Sequence, residues 1–356
     1  MRQTVQAMRG MVVAPHHLAA QAGLDVLREG GTAIEAMIAA AATISVVYPH
    51  MNGLGGDGFW LISTPDARPP LAINGVGAAA AKADEDLYRS KGLTAVPTRG
   101  PLAANSVAGT VSGWQAALEI NAEWGGRLPL GRLLEAAITY ARDGFPASDG
   151  QHRFTEAKRS ELQEVPGWAA IFQPDGKAPA TGARFKQPAL AETLGRLAKA
   201  GLDDFYRGTL AKRIAADLER AGSPLSAGDL ARQQAVRNEP LSVELGVGRV
   251  FNVTPPSQGL ASLLILGIFD RLGCNEAEGF DHLHGLVEAT KLAFLLRNSE
   301  ITDPAYMTLD PRRVLQDSWL REATAKIDLR KAMPWGSGRP GGDTVWLGAI
   351  DREGRA

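Results

Sequence analysis

The sequence predicts a mixed α/β chain of the α+β kind, dominated by helices. Three observations point there. Residues 33–47 form an Ala- and Ile-rich run with a capping signal at its start, apolar on almost every side. Short β-branched or aromatic runs recur at 11–14, 59–63, 241–245, 250–253 and 344–350, each beside a Pro or Gly or a turn. Forty glycines against 6% aromatic residues imply tight turns and close backbone packing, with small side chains filling much of the core.

In order, Met11-Val12-Val13-Ala14 is an apolar run stopped by Pro15, hence a strand. His16-His17 precede a helix over 18–29, with Leu18, Ala22 and Val26 or Leu27 at helical spacing. Gly30-Gly31 end it, Thr32-x-x-Glu35 is a capping box for 33–47, and Pro49 closes that helix. Gly53-Leu54-Gly55-Gly56-Asp57-Gly58 looks like a phosphate-cradling loop. It runs from helix into the strand 59–63, however, whereas phosphate loops run from strand into helix. A backbone that passes close to some other group accounts for it better.

Residues 73–81 are Gly/Ala-rich, and 82–92 read as a polar surface element. The loop Pro97-Thr98-Arg99-Gly100-Pro101 leads through Asn105 to Trp114 into a helix ending near 121, followed by an amphipathic helix over 128–142. From 151 to 240 the chain becomes charged and helical, including 188–200 and 208–221, with 171–185 as its least ordered loop. Strands at 241–245 and 250–253 precede the turn Thr254-Pro255-Pro256-Ser257-Gln258-Gly259, which opens the apolar helix 260–272. His282 and His284, two apart on a helix, point about 200° apart and cannot share one ion. No metal site is expected.

The totals exclude several classes. A net charge of −1 with scattered Lys and Arg argues against a nucleic-acid partner. A lone Cys274 rules out an internal disulfide framework and a Cys-based zinc cluster. Residues 1–10 hold no apolar signal core and no run approaches membrane-span length, which predicts a soluble, cytoplasmic protein with no membrane partner. No nucleophile elbow, Walker loop or repeat is present, and no cofactor is expected.

One Thr draws attention. Thr344-Val345-Trp346-Leu347-Gly348-Ala349-Ile350 suits a buried strand, and Asp351 to Gly354 read as a turn. Before it lies Gly336-Ser337-Gly338-Arg339-Pro340-Gly341-Gly342, a stretch of low helix and strand propensity, expected to be flexible and exposed. A Thr at that junction becomes a new N-terminus if the chain is cut just before it; alone, it would be explained by β propensity.

Taken together, His17-Leu18-Ala19, Gly30-Gly31-Thr32-Ala33, Val46-Val47-Tyr48-Pro49-His50, Gly53 to Phe59, Ala108 to Gly113, Pro255 to Gly259 and Asp343-Thr344 resemble the γ-glutamyltranspeptidase family of N-terminal-nucleophile hydrolases. The resemblance implies an α-β-β-α sandwich made as one precursor that cuts itself into a large and a small subunit. Here the cut falls between Asp343 and Thr344, so that 1–343 is the large-subunit region and 344–356 the start of the small one. The partner implied is the chain's own small subunit; homo-oligomerisation is left open. Since the family's small subunit continues well beyond Ala356, the expectation is a truncated precursor without amidase activity by itself.

The implied chemistry needs no other base. The Thr344 hydroxyl attacks the Asp343 carbonyl, and water opens the resulting ester, with Gly341-Gly342 allowing the backbone geometry. The freed α-amine, with a pKa of about 8, then serves as base for its own hydroxyl. Transpeptidases of the family carry an Arg for the glutamate α-carboxylate where this chain has Val76, and an apolar side chain cannot replace a guanidinium. Arg99 is the candidate substitute, and His50, Asn52 and the loop 53–58 are expected to line or brace the site. The stretch 98–104, with Asp343 to Trp346, looks more like the oxamate amidohydrolase branch, which implies a small amide substrate bearing a carboxylate. The alternatives are a γ-glutamyltransferase or glutathione hydrolase, and a binding protein that kept the fold without the chemistry.

Overall fold

A computed structural model describes residues 4–66, 68–274, 276–335 and 344–356. The chain opens with β1 (Gly10–Val13), α1 (His17–Arg28) and α2 (Ala33–Val47), then β2 (Gly58–Ile62), β3 (Leu71–Gly75) and α3 (Glu85–Ser90). Helices α4 (Thr110–Glu123) and α5 (Leu130–Asp143) follow, then β4 (Phe145–Pro146), α6 (Asp149–Ala157), α7 (Arg159–Leu162), α8 (Trp168–Phe172) and β5 (Arg184–Phe185). Next come α9 (Pro188–Ala200), α10 (Thr209–Ala221), α11 (Ala227–Arg232), β6 (Val236–Asn238), β7 (Leu241–Leu245) and β8 (Gly248–Asn252). Helices α12 (Gly259–Arg271), α13 (Phe280–Glu300) and α14 (Asp317–Thr324) precede the last strand, β9 (Gly348–Asp351).

The chain divides into two compact units. The first comprises Met1–Gly58, Gly75–Val236 and Asp343–Ala356. At its centre α2 packs against α1 and α5. The capping box forms as expected: Thr32 accepts the Glu35 N–H at 3.1 Å, and Glu35 accepts the Thr32 N–H at 2.9 Å. Nearly every residue of α2 is buried, which explains a helix apolar on all sides. Glu35 is buried too, and its second oxygen takes the Leu128 N–H at 2.8 Å. The amphipathic helices α5 and α9 bury Leu133, Leu134, Leu194 and Leu197. Pairing of β4 with β5 closes the loop that looked least ordered.

The second unit comprises Phe59–Asn74 and Arg237–Gly342. Helix α12 buries Leu260, Leu263, Leu264 and Ile268 against Leu241 and Val243 of β7, Ala289 and Ala293 of α13, and Leu320 of α14. Strands β7 and β8 form an antiparallel hairpin, with Leu245 opposite Gly248. A three-stranded sheet has the order β2-β3-β6, the strand ends Gly58, Gly75 and Val236 being counted with the first unit. Strand β3 was not foreseen in the Gly/Ala-rich stretch, because its buried positions are filled by Ala72, Ile73 and Asn74 rather than by a β-branched run. Asn74 is held by a bond from its Nδ2 to Thr254 Oγ1 at 2.9 Å.

Candidate active site

Thr344 is exposed and lies four residues ahead of β9. The strand expected over 344–350 begins only at Gly348, and Trp346 is 72% exposed. The reason is the partner. β9 pairs antiparallel with β1, Gly10 opposite Asp351 and Val13 opposite Gly348. Beyond Val13 the chain reaches Pro15, which lacks an N–H, and turns into α1 at His17, so β1 offers no further ladder. Asp343 and the glycine-rich stretch 336–342 lie outside the described residues.

Strand β9 is fixed at its far end. Asp351 is 3% exposed. Its Oδ1 accepts the backbone N–H groups of Glu353 (3.1 Å) and Arg355 (3.0 Å), and its Oδ2 accepts the backbone N–H of Ala33 (3.1 Å) and the side-chain Nε–H of Arg355 (2.8 Å). Gly10 makes the close crossing possible: at φ +112° it lies where a Cβ would stand 2.4 Å from the Ile350 carbonyl oxygen.

The three glycine-rich stretches read from the sequence interlock. The Gly56 carbonyl accepts the N–H groups of Gly109 and Thr110, each at 2.9 Å, and the Thr110 hydroxyl at 2.8 Å. A Cβ on Gly58 would stand 3.2 Å from Thr110 Cα, one on Gly75 2.7 Å from the Gly109 oxygen, and one on Gly77 1.5 Å from the Val107 oxygen. The close approach expected of this loop is therefore met, at Gly58, by the chain's own backbone. Gly53 and Gly55 instead face open space. Asp57 Oδ1 accepts the Gly77 N–H at 3.3 Å, and crowding by the surrounding protein pushes its carboxyl above the usual range despite that bond.

The remaining candidates occupy separate places in this unit. Val76 is half-buried, and its carbonyl accepts Gln233 Nε2 at 3.1 Å. The same nitrogen donates to Ser112 Oγ at 3.2 Å, while Tyr206 accepts the Ser112 N–H at 2.9 Å and donates to the Ala108 carbonyl at 2.8 Å. Burial pushes the Tyr206 phenol up to about 12, so it stays a neutral donor. Arg99 is partnered: its Nε bonds Glu161 at 2.6 Å in an exposed pair that Lys158 shares.

Asn52 caps a helix, its Nδ2 donating to the carbonyls of Tyr48 (2.9 Å) and Ile44 (3.3 Å) at the end of α2. His50 stacks on Phe154 (5.5 Å between ring centres) and lies tilted against Tyr48 (4.4 Å). His50 and Asn52 thus share the C-terminal end of α2, Val76 joins the glycine interlock, and Arg99 stands with α7. Gln233, Tyr206 and Asp351 were not singled out from the sequence. Asp351 is the one with a visible signal, an acidic residue three before a Gly in a turn.

Among the described residues no group of three or more His, Cys, Asp or Glu could hold a metal ion. In the second unit His284 Nε2 lies 3.0 Å from the Asp328 carbonyl, while His282 packs edge-on against Phe269. The two rings serve different neighbours, as their spacing implies. No helix among the described residues is long and apolar enough to cross a membrane.

Comparison with known proteins decides the family. The gamma-glutamyltranspeptidase model matches residues 19–356. The chain belongs to the gamma-glutamyltranspeptidase family. Among its family relatives is the oxamate amidohydrolase proenzyme of Klebsiella pneumoniae, 51% identical over 98% of this chain. The glutathione hydrolase-like YwrD proenzyme of Bacillus subtilis is 38% identical over 100% of it. The chain spans 65% of the length of the first and 67% of the second.

Solved structures agree on the fold of this family member. A cephalosporin acylase from Bacillus halodurans superposes with a TM-score of 0.89 at 32% identity, covering 100% of this chain and 66% of that one. A gamma-glutamyltranspeptidase from Pseudomonas nitroreducens gives 0.81 at 27% identity, covering 92% of this chain and 97% of that one. The N-terminal-nucleophile hydrolase fold expected from the sequence is the fold observed.

Proposed function

We propose that the chain is part of a self-processing Thr-nucleophile amidohydrolase, with 1–343 as the large-subunit region and 344–356 opening the small subunit. The observation that carries this reading is the position of Thr344, exposed and outside the ladder, on the lead into a strand pinned in register. In the precursor the Thr344 hydroxyl oxygen adds to the Asp343 carbonyl carbon, the peptide C–N bond breaks, and the nitrogen leaves as the Thr344 amine. Water then cleaves the ester, leaving a carboxylate on Asp343 and restoring the hydroxyl.

In the mature form that amine takes the hydroxyl proton, directly or through a water, as Oγ attacks the substrate amide. The proton passes to the leaving nitrogen, and water hydrolyses the acyl-enzyme. The γ-methyl of Thr restricts χ1 and helps to aim the oxygen. The rest of the small subunit is the proposed protein partner. The outward apolar side chains Met11, Val13 and Ile350 of the β1–β9 pair support a further covering layer there.

For the substrate we propose a small amide with a carboxylate close by, of the oxamate type. Two features support it: the kinship with the Klebsiella protein, and Val76 in the position where a γ-glutamyl site needs a guanidinium. Arg99 is the proposed carboxylate partner, because an exposed pair with Glu161 contributes only about 0–1 kcal/mol and is readily exchanged. His50 and Asn52 are proposed to brace the loop 53–58. A glutathione hydrolase is the second reading, favoured by the name of the Bacillus subtilis relative. The test is ammonia release from oxamate by the full-length protein against aniline release from a γ-glutamyl anilide. Oxamate turnover lost in Thr344→Ala supports the proposal; preferred γ-glutamyl turnover refutes the substrate.

A further inference from the structure

The pairing that holds β9 is slight. Two four-residue strands form a two-stranded ladder, an arrangement of marginal stability in isolation. What the ladder lacks is supplied at Asp351. Helix α2 begins with four N–H groups that have no partner inside the helix. Its capping box employs Thr32 and Glu35 on each other, which leaves the first helical N–H, that of Ala33, to a group from elsewhere. Asp351 Oδ2 is that group, a carboxylate at the positive end of a largely buried helix.

The same carboxylate organises the turn that follows, through the Glu353 and Arg355 N–H groups. Arg355 then extends the attachment: Nη1 donates to the Trp124 carbonyl at 3.0 Å, and the guanidinium lies 5.0 Å from the centre of the Trp124 ring. Side chains on the far side of β9 therefore bolt it to the start of α2 and the end of α4.

We infer that Asp351, with Arg355, is a positioning residue that keeps the segment beginning at Thr344 docked once the chain ahead of it is cut. While the chain is continuous, the segment is held covalently and these bonds only refine its place. After a cut, the four-residue ladder and the Asp351–Arg355 clamp hold this end of the segment in register and set the distance from the new terminus to the strand, whatever else the rest of the segment contacts. Only the natural occurrence of the cut rests on the proposed self-processing.

The test makes the cut independently. A recognition site for a specific endoprotease is inserted within 336–342 of the full-length Thr344→Ala protein, which is then cut, and amide hydrogen exchange over 344–356 is followed by mass spectrometry under native conditions. In the parent these amides are expected to stay protected after the cut. In Asp351→Asn, which sets an NH2 against N–H donors, and in Arg355→Ala, they are expected to exchange about tenfold faster or more after the cut. Before the cut the same variants should lie much closer to the parent rate, whereas a merely structural role would speed exchange in cut and uncut forms alike. If Asp351→Asn does not fold, Arg355→Ala decides. Equal protection in the cut parent and the cut variants overturns the inference, and this result is independent of whether the natural protein cleaves itself.

Discussion

A Cβ placed on Gly109 would lie 2.0 Å from the carbonyl oxygen of Gly75. No side chain can give way there, because the obstruction is backbone. Gly109→Ala is therefore expected to cost about 3 kcal/mol or more. Gly53→Ala, in open space on the same loop system, should stay within about 0.5 kcal/mol. Urea unfolding of the two variants checks this. Equal losses would mean that the interlock does not hold the loop.

The substrate argument turns on Val76. Its carbonyl is fixed by Gln233, so a longer side chain at this position starts from a defined point. Val76→Arg is predicted to lower KM for a γ-glutamyl anilide about tenfold, since a charge-assisted pair with the α-carboxylate becomes available. Steady-state kinetics on the full-length protein read it directly. An unchanged KM would place the carboxylate subsite elsewhere.

His16 makes stability depend on pH. Burial, then the neighbouring His17 and His50, lower its pKa from 6.5 to about 4. The folded ring stays neutral where the unfolded ring takes up a proton. Its contribution is therefore complete above about pH 6.5 and falls as pH drops towards 4, by on the order of 3 kcal/mol in all. His16 Nδ1 also caps α1 by accepting the Leu18 N–H at 3.3 Å, a role Asn can fill. In His16→Asn the loss of stability between pH 7 and 5, followed by urea midpoints, should become shallower. An unchanged slope would assign it to other groups.

In the second unit, Glu288 and Lys291 form a pair whose side chains are 2% and 14% exposed. Burial alone would raise the Glu288 carboxyl, but the Lys291 bond at 2.6 Å and the Met333 N–H at 3.0 Å outweigh it and lower it. Lys291 also donates to the Met333 carbonyl at 2.8 Å. Lys291→Met should cost about 3–5 kcal/mol, because it strands a buried charge. Lys291→Met with Glu288→Leu should recover part of this in thermal unfolding; no recovery would argue that the Met333 contacts, not the charge, set the cost.

Much of the fold was legible because its signals are local. The capping box at Thr32 and Glu35 and the apolar run behind it mark α2 at 33–47, and a Pro in the first turn marks α9. The extent of β9 was not legible. Val345 and Trp346 favour strand, yet the ladder stops at Gly348 because of Pro15, more than 300 residues away in sequence. The interlock of Gly58, Gly75, Gly77 and Gly109 was half visible: each stretch announced close packing, but only the folded chain shows that they pack on one another. Asp351 read as an ordinary turn residue, since its partner Ala33 belongs to the opposite end of the sequence.

The central claim is that Thr344 becomes an N-terminus and then the nucleophile. Intact mass and N-terminal sequencing of the full-length protein after purification test it most directly. The account predicts two fragments, the second beginning at Thr344, and a single uncut chain for Thr344→Ala. An uncut wild-type chain, or cleavage that persists when the Thr344 hydroxyl is removed, would contradict it.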